Sequence, residues 1–106
     1  MAAKKPGLSP QTQERIDLLF KEKIDREEVA RLLIEECGNN LPFLQDLDEH
    51  GLERFRFAVL KLSEGDLAKL KSALALAKTD WRDLLVAADF AQDIKAHEFW
   101  LPVPKT

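Results

Sequence analysis

The chain has 106 residues, of which 45% are apolar and 33% charged, and a net charge of −3, a balance that suits one domain with a single core. Lys and Arg against Asp and Glu count 7 to 11 in residues 1–50 and 9 to 8 in residues 51–106, so neither half has the cationic surplus of generic nucleic-acid binding. Apolar runs such as LLVAA at 84–88 fall far short of the roughly 20 residues of a membrane span, and the start, MAAKKPGLSPQTQE, has no apolar stretch behind its lysines and does not read as a secretory leader.

Residues 1–8 mix Ala, Lys, Pro and Gly without periodicity and are expected to form a flexible tail. The bundle proper is expected over 9–98. Ser9 before Pro10 fits an N-cap with proline at the first helical position, where its missing N–H costs nothing. Ile16, Leu19, Phe20 and Ile24 follow at spacings of three and four, which predicts an amphipathic helix over about 10–23. Asp25 with Glu28 resembles a capping box, with Ile24 and Val29 at the staple positions, so a second helix is expected from Arg26. Gly38 would close it. Asn40 could cap a short helix over Pro42 to Leu47, limited by Pro42 and Gly51.

From Leu52 onward Phe55, Val59 and Leu62 share one line with Phe57, Ala58 and Leu60 beside it, so more than half the circumference is apolar and the helix should be central. Ser63 with Asp66, between Leu62 and Leu67, repeats the capping arrangement ahead of a fourth helix carrying Leu67, Leu70, Leu74 and Ala77. Thr79 or Asp80 is expected to cap a fifth over Trp81, Leu84, Leu85 and Ala88. Strand signals are missing: there is no tyrosine, and no AsnGly or AspGly pair between apolar runs. The expected fold is all-α, a single-domain bundle of about five short helices.

Few residues carry a chemistry. Cys37 is the lone cysteine, which excludes an internal disulfide and a zinc-finger site, and it is expected to behave as a small buried residue near a helix end. Ser9 and Ser63 are better explained as caps than as nucleophiles, and four glycines form no phosphate-binding loop. No cofactor is expected. Asp89, Asp93 and His97 recur every fourth residue, one helical face that would suit a divalent metal, though an acidic solvated face explains them as well. Lys61, Lys69, Lys71, Lys78 and Arg82 could receive an anion or stand as solvated faces, and Arg54 and Arg56, two apart, point in different directions. A helix-turn-helix reading of residues 27–47 is argued against by Gln45, Asp46, Asp48 and Glu49, which would set carboxylates against phosphates. The last segment, 99–106, holds Phe99, Trp100, Leu101 and Val103 with Pro102 and Pro104, which favour an extended path. It either folds back over the bundle, the preferred reading, or offers an apolar strip to another chain.

FAVLKLSEGDL at 57–67 and DWRDLLVAADFA at 80–91 resemble segments of small bacterial all-helical proteins of no assigned activity. The resemblance implies a bacterial, cytoplasmic, all-helical protein and transfers no functional residues. Its members carry glycine near the position of Asp89, which bears on whether the fifth helix stops there. The leading expectation for function is therefore a non-enzymatic protein–protein interaction module, a homodimer or a small partner of a larger complex, using Trp81, Phe99, Trp100 and Leu101. The alternative is a divalent-metal or small-anion domain at Asp89, Asp93 and His97, with DNA binding third.

Overall fold

A computed structural model describes residues 8–37 and 49–102. The expected tail residues 1–7, the Gly38 helix end, the short helix over Pro42 to Leu47 and the segment from Val103 to Thr106 lie outside the described residues. Five α-helices follow one another: α1 (Pro10–Leu19), α2 (Lys23–Glu36), α3 (Glu49–Ser63), α4 (Leu67–Thr79) and α5 (Trp81–Ala87), then a single 3₁₀ turn over Ala96–Phe99. No strand occurs among the described residues. The chain is an all-α bundle, as its periodicity predicts.

α1 starts as expected. Ser9 is extended and its Oγ accepts the Thr12 N–H at 3.1 Å. The same hydroxyl donates to Glu53 Oε2 at 2.5 Å, which ties the start of α1 to α3. Leu8, expected in the tail, instead packs against the core. The helix ends at Leu19 rather than near 23, because Phe20 leaves helical geometry (φ −117°, ψ 115°) and drops into the core at 2% exposure.

The capping box at Asp25 does not form. α2 begins at Lys23 after Glu22, which makes no side-chain cap, and Asp25 sits inside the first turn. Ile24, the expected staple residue, is 74% exposed. Arg26 instead serves the linker before the helix: its Nη1 donates to the carbonyls of Phe20 at 3.2 Å and Lys21 at 2.6 Å. The linker's orphan acceptors are thereby met from within α2, and a three-residue connection suffices.

α3 is the axis of the bundle. Every residue from Phe55 to Leu60 is buried, and the helix packs against α1, α4, α5 and the 3₁₀ turn. At its end Ser63 Oγ donates to Leu60 O and accepts from Gly65 N, so Ser63 closes α3 instead of capping α4. Glu64 (φ 52°) and Gly65 (φ 80°) make the left-handed reversal, and Asp66 caps α4 by accepting the Lys69 N–H at 3.3 Å. Between α4 and α5 one residue does both jobs. Asp80 ends α4 through its own N–H to Leu76 O and opens α5 by accepting the Leu84 N–H on its carbonyl and the Arg82 and Asp83 N–H groups on its side chain. Thr79, the other cap candidate, bonds back to Ala75 O inside α4.

α5 stops at Ala87. Asp89 takes φ 64°, with Phe90 N donating to Leu85 O and Asp89 N to Val86 O. This pair of bonds is a Schellman closure. It uses aspartate, one of the few non-glycine residues that tolerate this region.

Cys37, 0% exposed, is the C-cap of α2 as expected. Burial pushes its thiol up to about 12, against the opposing pull of Arg56. In the unfolded chain a thiol ionises near 8.5, so the folded state holds a proton the unfolded state loses. The associated stability is intact below about pH 8.5 and is lost as pH rises toward about 12, by about 1.4 kcal/mol per pH unit. Urea unfolding between these limits should show a steeper decline in the wild type than in Cys37→Ala; equal slopes would refute the assignment.

Candidate functional site

The C-terminal segment is seated on an aromatic cluster to which α3 gives Phe57 and the chain beyond α5 gives Phe90, with Arg15 of α1 over Phe57. Phe57, 1% exposed on α3, forms the floor, and Phe90, 2% exposed, stands beyond the end of α5. His97 of the 3₁₀ turn is fully buried, edge-on to Phe57 at 5.4 Å and to Phe90 at 6.2 Å. Trp100 completes the group at 6.1 Å from Phe57 and 6.3 Å from Phe90. Such edge and tilted arrangements place ring edges toward neighbouring faces, the favourable sense of the quadrupoles.

Three cations hold this seat. Arg15, 4% exposed, stacks its guanidinium 4.2 Å from the Phe57 centroid, while Nε donates to Trp100 O at 3.1 Å and Nη1 to Gln11 O at 2.9 Å. Burial lowers the affinity of this guanidinium for its proton, and Glu14 and Glu53 oppose that. Arg54 Nη2 donates to Phe90 O at 2.5 Å, and Lys61 Nζ to Ala88 O at 2.8 Å while lying 4.9 Å from the Phe90 centroid. Arg54 and Lys61 thus meet carbonyls at the C-terminus of α5, the end of the macrodipole that favours cations.

The consequence is an alternation along the segment. Trp100 is extended (φ −84°, ψ 129°) and half-buried, and Pro102 is buried. The residues between and before them face out: Phe99 is 83% and Leu101 52% exposed. The expected interface set therefore divides. Trp100 anchors the segment from within, and Trp81 is half-buried with its ring edge-on to Phe55 at 5.8 Å and Arg82 over it at 5.4 Å. Phe99 and Leu101 alone of that set stand open. The expected extended tail also starts later than residue 99, since Phe99 still belongs to the 3₁₀ turn.

Asp89, Asp93 and His97 are not brought together on one helical face. Their spacing of four presupposed a helix running through all three, and the helix ends at Ala87. Asp89 is exposed in the left-handed closure, Asp93 Oδ1 accepts the Lys95 N–H at 2.8 Å, and His97 is turned into the core. Among the described residues no three His, Cys, Asp or Glu side chains stand together as a metal set. The basic residues form no common anion seat either: Lys69 pairs with Glu64, Lys78 with Glu36, and Lys61 with Ala88 O. Arg54 and Arg56 diverge as expected, Arg56 Nε donating to Cys37 O at 3.0 Å.

Sequence reasoning missed Arg15 and Lys61 as parts of the seat. For Arg15 a signal existed. Thr12, Arg15 and Ile16 fall on the same side of α1 as Leu19, and a long polar side chain on an apolar stripe is an anomaly that burial with partners resolves. Comparison with protein-family models, with curated proteins and with solved structures gives no match. Among the described residues no helix is long and apolar enough to cross a membrane.

Proposed function

We propose that this protein is a non-enzymatic interaction module that presents Phe99 and Leu101 to a protein partner, with a second copy of the chain as that partner. The reading rests on one observation, the alternation in which Trp100 and Pro102 are held inward while Phe99 and Leu101 stand 83% and 52% exposed. A pinned backbone carrying an outward aromatic loses little freedom on association, and aromatic side chains are the usual anchors of interfaces. Val86 and Ile94, 64% and 63% exposed, add apolar surface in the same part of the chain. A cytoplasmic setting belongs to this reading, supported by a single, deeply buried cysteine with no internal partner. Sedimentation over a range of concentrations is expected to show a monomer–dimer equilibrium, which the double variant Phe99→Ser, Leu101→Ser shifts to monomer. A wild-type chain that stays monomeric throughout rejects the homodimer.

A further inference from the structure

Histidine is the side chain whose charge ordinarily changes between about pH 5 and 8, and the chain has two, His50 and His97. His97 is 0% exposed, with its ring edge-on to both Phe57 and Phe90. Trp100 rests on the same two rings, and its N–H donates to His97 O at 3.2 Å. The two side chains therefore keep or leave the cluster together, and with them goes the Arg15 bond to Trp100 O.

Such a seat suits the neutral imidazole. Each phenylalanine that His97 touches already carries a cation, Arg15 of α1 at 4.2 Å from the Phe57 centroid and Lys61 of α3 at 4.9 Å from that of Phe90, and Arg54 of α3 binds Phe90 O. Of the surrounding carboxylates, Glu53 of α3 accepts from Ser9 Oγ and acts with Glu14 of α1 on Arg15, while Asp89, Asp93 and Glu98 are exposed, as is Lys95 at the start of the turn. A proton added to the seated ring brings one more cation into an apolar site, and both burial and the neighbouring cations oppose it. Out in water the imidazole takes up that proton near pH 6.5. Above about pH 6.5 the segment therefore stays seated; as the pH falls below that value, the released form binds one proton more and is favoured.

We infer that His97 is a pH latch, whose protonation frees the C-terminal segment, from residue 96 onward, from the Phe57 and Phe90 cluster. The latch does not require Phe99 and Leu101 to meet a partner, and its test reads the segment itself. In the full chain carrying Trp81→Phe, which leaves Trp100 as the sole tryptophan, emission and acrylamide access are followed from about pH 8 to about pH 5, well below the melting temperature. Trp100 emission is expected to move to the red below about pH 6.5, the ratio of released to seated segment rising by up to about tenfold per pH unit, as a single proton requires. Far-ultraviolet circular dichroism should hold its helical signal through the same range. His50→Gln should leave the transition in place, and His97→Phe and His97→Gln should each remove it. In the His50→Gln chain the NMR ring signals of the one remaining histidine should titrate together with the Trp100 shift, a measurement that does not depend on the His97 variants folding. Trp100 emission that stays constant down to about pH 5, a transition that persists in either His97 variant, or loss of the helical signal along with it would each overturn the latch. So would His97 ring signals that titrate while Trp100 keeps its place.

Discussion

Phe57→Ala is expected to lower the folding stability by about 3–5 kcal/mol, the range for deleting a fully buried phenylalanine ring. The ring is 1% exposed on the central helix and is shared by three other groups, with His97 and Trp100 at its edges and the Arg15 guanidinium 4.2 Å from its centroid. Its removal leaves a cavity under the C-terminal segment and takes away the face on which a buried cation rests. Because domains of this size have only about 5–15 kcal/mol of stability in total, the variant should be close to the limit of folding at ordinary temperature. Phe57→Leu keeps most of the volume and should cost less, about 1–2 kcal/mol. Denaturant unfolding of both variants decides the matter: a Phe57→Ala cost no larger than that of Phe57→Leu would show that the ring is not what supports the segment.

Arg15→Met is expected to cost about 2–3 kcal/mol, from two carbonyls left without their donor and a lost cation–π contact. The sign is not automatic, because a buried cation is expensive and removing it relieves desolvation. Here the loss should prevail, since methionine keeps the length of the stem but cannot donate to Trp100 O or Gln11 O, which the guanidinium reaches at 3.1 and 2.9 Å. Arg15→Lys should fall between the two: it keeps the charge without the planar fork that spans both acceptors. A structural cost alone would not identify Arg15 as the clasp of the C-terminal segment. In a Trp81→Phe background Trp100 is the sole tryptophan, and its emission should move to the red and become more open to acrylamide in Arg15→Met well below the melting transition. Unchanged Trp100 emission would mean that the segment is held without Arg15. A segment freed in this way should also fail to present Phe99 and Leu101 in a fixed geometry, so the same variant should weaken self-association.

Helix existence was legible because apolar spacing and local caps are properties of a few adjacent residues. Ser9 with Pro10, Asp80 ahead of Trp81, and the apolar circumference of 55–60 all describe interactions that complete themselves within one or two turns. The mistaken boundaries share a cause. Asp25 with Glu28, and Ser63 with Asp66, both match a capping box, yet α2 starts at Lys23, ahead of the first, and at the second the left-handed pair Glu64 and Gly65 leaves the cap of α4 to Asp66 alone. Several local solutions compete for one set of orphan N–H and C=O groups, and packing of Phe20 and Leu70 into the core chooses among them.

The site was less legible for a similar reason. Reading Asp89, Asp93 and His97 as one face required an unbroken helix, and a single residue at φ 64° cancels that register. Trp100 and Phe99 are adjacent aromatic residues with equal apolar promise in the sequence, but one is pinned by Arg15, 85 positions away, and the other is left open. By itself the sequence determined an all-helical chain, its central helix and the burial of Cys37, since periodicity reports which side of a helix must leave water. Only the tertiary structure decided which aromatic residues are anchors and which are surface, because that depends on partners from α1 and α3 whose distance along the chain carries no local signature.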